Sequence, residues 1–320
     1  MAKKKLMASV SLDLDDQWSY MKVHGDEGWE TFPSYLDVVL PITLDVLDKL
    51  DIKITFFVVG QDAAIEKNHK VLRMIVDRGH EIANHSFHHE SWLKTYSKEK
   101  IEDEIRIAEE AILKATGKRT NMFRGPGFSW SNDLLEVLEK RNYIFDASLL
   151  PTYISPLMRK YYFAKSNLSK EEKESRKELF GSFSESFYPL KPYTWELPNK
   201  KRLLEIPVTT MPVFKIPFHQ SYLLYISNIS TGLMKFYLRF AIMMCKLTRT
   251  QPSYLLHPLD LIGKDVVPEL AFFPGMNILS PRKLEIFETA MTILKKNFEL
   301  LPMGEFAARV SKEKTISLKN

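Results

Sequence analysis

Leu6–Asp16 reads LMASVSLDLDD. The run is apolar enough for a buried strand, but its serines and aspartates break it before it could serve as the core of an export signal. It ends on two adjacent acids. Taken as a first strand over Met7–Leu14, it opens an alternation of patterns. Ser34–Leu50 places Leu36, Val39, Leu40, Leu44 and Leu47 at helical spacing, and KITFFVV (Lys53–Val59) is a β-rich run closed by Gly60. The pattern predicts a helix at His69–Arg78 ended by Gly79, a strand at Glu81–Asn84, and an amphipathic helix at Lys98–Thr116 capped by Ser97 and closed by Gly117. Strands follow at Asn121–Phe123 and Tyr143–Phe145, with a helix at Ser131–Lys140 between them. Such alternation predicts a parallel sheet or barrel with its working residues at the strand C-terminal ends.

The 320 residues suit one large domain, taken as 1–310, with a polar tail at 311–320 expected to fray. Between Pro151 and Lys201 the alternation stops. This stretch, with its charge run KEEKESRKE and many rings from Tyr153 to Trp195, predicts an ordered aromatic-rich insertion covering part of a site. Alternation resumes at Leu203–Val208, Thr231–Leu247, Ser253–His257 and a helix from Ser280. A single cysteine, Cys245, excludes an intrachain disulfide. The net charge of +5 comes without a basic stripe interleaved with stacking rings, so no nucleic-acid partner is expected.

GHEIANHSFHH (Gly79–His89) holds four of the eight histidines. His85 and His89 are four apart, which puts two rings on one side of a helix or tight helical turn. Such a pair offers two of the three protein ligands of a catalytic zinc site, and equally fits a solvated polar loop. Asp15 and Asp16 could add a carboxylate. Adjacent residues of an extended chain point apart, so one could take a metal while the other faces substrate; the pair could also merely cap a turn. A structural ion pair at Arg124 and a satisfied core histidine at His257 are the plain alternatives there.

LDLDD, HSFHH, FRGPGF, FDAS and LLH, in that order, resemble the motifs of the polysaccharide deacetylase family, also called NodB-homology or carbohydrate esterase family 4. The resemblance spans roughly Leu6–Asp146 and the region of His257. It implies a distorted (β/α) barrel and a metal-dependent N-deacetylase. It assigns Asp15 as general base, Asp16, His85 and His89 as metal ligands, Arg124 as the residue orienting the base, and Asp146 as a charge-setting residue. It further assigns His257 as general acid and Leu255 as a wall of the acyl pocket. The metal would be zinc, with cobalt, nickel or iron also suited to this donor set. Gly127 is expected to offer an oxyanion N–H, and the stretch after the aspartate pair, Gln17–Trp29, is expected as a loop whose Trp18 and His24 line the cleft with Phe272–Met276. Gln17 stands where the family has glycine, Gly127 replaces an aromatic, and DASLLPT lacks the usual Asp-Trp.

The expected reaction is removal of an N-acyl, foremost N-acetyl, group from an amino sugar. With no export-signal core, the protein is expected in the cytoplasm or at the inner face of the cell membrane. The substrate is then an intracellular glycan or glycolipid precursor, carried on a nucleotide or a lipid. A deformylase or other C–N amide hydrolase acting on a lipid-linked amino sugar is the alternative, and a non-catalytic glycan-binding module a further one. Thr231–Leu247 is apolar on nearly all sides with Lys235, Arg239 and Lys246 interspersed. It reads either as a helix sandwiched in the barrel wall or as a contact element for an anionic membrane. Oligomeric state stays open.

Overall fold

The structure, a computed structural model, describes residues 5–157, 160, 183–198, 200–313 and 315–319. Ten strands are present among them: β1 (Leu6–Leu14), β2 (Thr55–Val58), β3 (Glu81–Asn84), β4 (Met122–Phe123), β5 (Phe145–Asp146), β6 (Tyr193–Glu196), β7 (Arg202–Glu205), β8 (Ser253–Leu256), β9 (Phe298–Leu301) and β10 (Ile316–Lys319). β1 to β5 pair in parallel sequence order and β5 pairs with β7. β8 and β9 both run parallel to β1. Closure comes from irregular chain after β7. The Val208 amide donates to the Leu149 carbonyl (2.8 Å), and the Thr209 amide to the Ser253 carbonyl of β8 (3.0 Å). This is the distorted barrel that the alternation and the resemblance imply.

Two layers of packing hold it. Met7, Phe57, Ala83, Met122, Phe145 and Leu204 project from six strands into one buried cluster, which Met303 and Phe306 of the helix Met303–Val310 plug from one end. Outside, the helices Leu36–Lys49, His69–Asp77 and Ser280–Asn297 cover the sheet with leucine and isoleucine stripes. Hydrophobic burial of this kind is the main driving term. The helix Lys98–Thr116 begins at its Ser97 cap and ends at Gly117, at φ +73°, as the spacing predicts.

Three expectations are corrected. Gln17–His24, expected as a loop, is a helix with Asp16 as N-cap. Ile316–Lys319, expected to fray, pairs in parallel with β6 as an edge strand. His85–His89 is not helical: Ser86 and His89 adopt left-handed φ of 60° and 53°, and the loop coils tightly enough to bring both rings together. The charge run of the insertion, with Tyr161, Tyr162, Phe163 and Phe180, lies outside the described residues. The described part of the insertion contributes β6, which pairs antiparallel with β7 just beyond it, and its Tyr193 and Trp195 pack with Tyr188 and Trp130 in a core cluster.

Candidate metal centre and catalytic cavity

β1 ends where the barrel opens. Asp13 and Asp15 alternate along it, so both side chains leave the strand on the same face. Asp15 Oδ1 stands 3.0 Å from His89 Nε2 and 3.5 Å from His85 Nε2. One ligand atom from each of the three residues lies within 4.8 Å of the others. His85 Nδ1 is 2.7 Å from the Arg124 carbonyl. A carbonyl only accepts, so Nδ1 carries a proton, and Nε2 is the ring atom that faces Asp15. Asp15 Oδ1 is buried without a hydrogen-bond donor. Two ring nitrogens and a carboxylate oxygen converging in a buried cluster fit a divalent cation, and two imidazoles with one carboxylate form a donor set that zinc accepts. Burial pushes the Asp15 carboxyl up, but the adjacent His89 and His85 rings outweigh it and hold the group far below the usual carboxylate range.

The helix Lys98–Thr116 pins the loop that carries the imidazoles. Its Glu104, almost fully buried, accepts from the Phe87 and His88 amides (3.2 and 3.0 Å) and pairs with His88 Nδ1 (2.5 Å). His88 is thereby outside the metal group. His80 is too: its Nδ1 accepts from the Ile54 amide, and burial lowers its pKa to about 4.

Asp16 is not a member of the metal cluster. Its carboxylate accepts from the Gln17 amide at 2.8 Å and the Tyr35 amide at 3.0 Å, tying the helix cap to the next segment. It also adjoins Asp62, which accepts from the Trp18 indole N–H (2.6 Å). Burial raises both carboxyls, Asp16 to about 6 and Asp62 well above the usual range, and the charge of Asp16 adds to the rise at Asp62. Trp18, expected on the cleft, is correspondingly 1% exposed and packs edge-on against His89 from behind.

Arg124 orients an aspartate other than Asp15. Its Nη1 donates to Asp13 Oδ1 (2.5 Å) and to Ser11 Oγ (3.0 Å), Nε donates to the Ala147 carbonyl, and the guanidinium lies 4.2 Å over the Phe57 ring. A fully buried guanidinium held on three sides is a rigid support for Asp13.

Asp146 is likewise drawn elsewhere. It accepts from Ser148 Oγ (2.6 Å) and adjoins Glu205 on β7. Burial raises Asp146 to about 6 and Glu205 well above its ordinary value. The carboxylate beside His257 is Asp260. Its Oδ2 accepts from the His257 amide at 2.9 Å and stands 3.8 Å from the ring Nδ1. Burial lowers the His257 pKa, but the carboxylate of Asp260, aided by the charges of Asp13 and Asp15, outweighs it and brings the value to about 9.

These groups share a cavity of about 290 Å³. Asp13, Asp15, His85, His89, His257 and Asp260 form its polar end, and Tyr20, Phe128, Tyr222 and Phe273 are among its apolar walls. Gly127 lies on the wall at φ +59°, and a Cβ there would meet Ser91 Cβ at 3.0 Å, so glycine suits the position. Phe273, Pro274 and Gly275 line the cavity as the Phe272–Met276 stretch suggests, whereas His24 pairs with Asp26 and stacks on Phe272 beyond the wall. Leu255 sits one layer behind, buried against Leu150 and Val208. None of the described rings of the insertion lines the cavity.

Asp13, Asp260 and Glu205 were not singled out from the sequence. For Asp13 the signal was present in the D-x-D spacing on a strand, and for Asp260 in its position three residues after His257.

Residues 21–145 match the family model of polysaccharide deacetylase, a span that includes His85, His89 and Arg124. The peptidoglycan-N-acetylmuramic acid deacetylase PdaA of Bacillus subtilis is 38% identical over 86 residues, covering 27% of this chain and 32% of that protein. A peptidoglycan deacetylase of Helicobacter pylori is 28% identical over 160 residues, covering 48% of this chain and 53% of the other. The chain therefore spans about a third to a half of the length of these relatives. A solved protein of Mycobacterium smegmatis, assigned to the polysaccharide deacetylases, aligns over 100% of this chain and 96% of its own with a TM-score of 0.60 at 17% identity, a likeness of fold.

Proposed function

We propose that the chain, matched by the polysaccharide deacetylase family model and similar to curated peptidoglycan deacetylases, hydrolyses the N-acyl, foremost N-acetyl, group of an amino sugar in a glycan or glycolipid precursor. The observation that carries the reading is the meeting of Asp15, His85 and His89 donor atoms beside the Arg124-held Asp13 and the protonatable His257 in one cavity. Asp15, His85 and His89 would hold the divalent ion, which we take to be zinc. When bound, such an ion acts as a Lewis acid on the acyl carbonyl and activates water. Asp13 then serves as the general base, oriented by Arg124, and takes the proton of the attacking water. His257 donates a proton to the departing amine, a role that needs the imidazolium. Gly127 lies on the wall where a backbone N–H could face the developing oxyanion. Tyr20, Tyr222 and Phe128 offer ring faces for a sugar.

The raised His257 pKa sets an expected pH profile. The imidazolium is the working form, so kcat/KM should fall as pH rises through about 9. Asp260→Asn should pull that alkaline limb down towards the ordinary histidine value of 6.5. The same shift links to stability: because the folded pKa is raised, its contribution is full below about pH 6.5 and is lost as pH rises through about 9. A pH–rate profile of both proteins checks the shift, and an unmoved limb in Asp260→Asn would remove His257 as the acid.

The test of the reaction is hydrolysis of N-acetylated and N-formylated amino-sugar substrates, scored by released acetate or formate in the metal-loaded protein. Acetate release supports the reading, formate release alone replaces it by a deformylase, and no release with stoichiometric metal bound would leave a glycan-binding module.

A further inference from the structure

Between Glu205 and Asp260 the sequence contains no acidic residue and five basic ones, Lys215, Lys235, Arg239, Lys246 and Arg249. The rest of the chain is balanced, so this stretch carries the whole formal net charge of +5. The same stretch holds much of the exposed apolar surface. Ile229 is 79% exposed, Leu247 70% and Phe236 67%, with Leu233, Met243 and Phe214 beside them. Scattered exposed hydrophobes need no explanation, but a contiguous patch does.

The helix Thr231–Leu247 sorts its side chains into three stripes. At ~100° per residue, Leu233, Phe236, Met243 and Leu247 fall on one line, and Lys235, Arg239 and Lys246 on the adjoining one. Met234, Leu238, Ala241, Ile242 and Cys245 fall on the third and are buried in the core. Phe240 stacks on Phe236 and meets Phe214 of the preceding segment, which extends the apolar stripe beyond the helix. A shallow groove of about 370 Å³ lies where the apolar and cationic stripes meet, with Arg239 and Lys246 among its walls and Met243 and Leu247 beside them. Lys246 is steadied there by Asn297 Oδ1 at 2.6 Å. No helix among the described residues is long and apolar enough to cross a membrane. An apolar stripe edged by cations, with no carboxylate along it, is complementary to the surface of an anionic bilayer, where rings enter the acyl boundary and cations meet phosphates.

We infer that this face, the helix Thr231–Leu247 with Phe214, docks on an anionic lipid bilayer, with a lipid phosphate seated between Arg239 and Lys246. The placement also bears on substrate delivery. The preceding helix, Gln220–Ile229, lines the catalytic cavity with Tyr222 and Tyr225 and ends at exposed Ile229, next to the docking face. A substrate held in the bilayer by a lipid would thus reach the cavity along this helix.

Vesicle flotation of the full chain tests the docking independently of hydrolysis. The protein should float with vesicles of phosphatidylcholine containing phosphatidylglycerol and stay behind with phosphatidylcholine alone. R239Q/K246Q should weaken partitioning about 30-fold at low salt, and F236S/L247S should abolish flotation, each with unchanged melting temperature and unchanged hydrolysis of a soluble substrate. No flotation of the wild type on anionic vesicles would overturn the inference. So would flotation that neither variant alters. A dimer in light scattering that F236S/L247S dissolves, without flotation, would assign the face to a second copy of the chain instead.

Discussion

Asp13→Asn is expected to lower kcat/KM by about 10³-fold while leaving bound metal stoichiometric, within the range general-base removal gives. Asp13 lines the cavity but is absent from the group of converging donor atoms, so its loss should not release an ion. The choice of asparagine matters. Arg124 is fully buried, and stripping its partner altogether would leave an uncompensated charge, at a cost of about 3–5 kcal/mol. An asparagine Oδ1 can still accept from Arg124 Nη1, so the variant should fold and its melting temperature should report only part of that cost. Turnover within a few-fold of wild type would remove Asp13 as the base. Loss of metal along with turnover would instead make it a ligand.

Asp15→Asn is expected to have the largest effect: loss of the ion and a fall in hydrolysis of about 10³-fold or more, the scale of Lewis-acid stabilisation. The neighbouring Asp16→Asn should behave quite differently. Asparagine caps helices about as well as aspartate and can accept the same Gln17 and Tyr35 amides. It also removes one of two buried carboxyls, Asp16 and Asp62, whose negative charges oppose each other in a dry site. Hydrolysis should therefore stay close to wild type in Asp16→Asn, with a change in stability of about 1 kcal/mol or less.

The contrast between Asp15 and Asp16 shows where sequence reading stopped short. The alternation of β and α patterns was legible because each element carries its own local signal: a capping serine at Ser97, a closing glycine at Gly117, a leucine stripe at Leu36–Leu47. The imidazole pair was legible from spacing, although a coiled loop with two left-handed residues brings the rings together in place of the helix or tight helical turn that the spacing suggests. The acid assignments were harder, since LDLDD offers two adjacent acids and two alternating ones. Adjacent residues diverge at a strand end, so Asp15 and Asp16 cannot both face one cavity, while Asp13 and Asp15 can. The resemblance favoured the adjacent pair, and strand geometry favours the alternating one.

Asp146 and Trp18 misled for a related reason. Their neighbours are remote in sequence: Glu205 enters from β7 and Asp62 from the segment after β2. A buried carboxyl with a raised pKa looks, residue by residue, like a catalytic acid, and only the fold shows that each is packed against a second carboxyl away from the cavity. The edge strand Ile316–Lys319 was hidden because its partner β6 lies over a hundred residues away, within the insertion, and its own side chains are largely exposed.

Metal content of wild type, Asp15→Asn and Asp16→Asn, measured side by side by mass spectrometry after zinc loading and gel filtration, tests the centre most directly. The expected result is stoichiometric zinc in wild type and Asp16→Asn and near none in Asp15→Asn. Zinc retained by Asp15→Asn and lost from Asp16→Asn would contradict it.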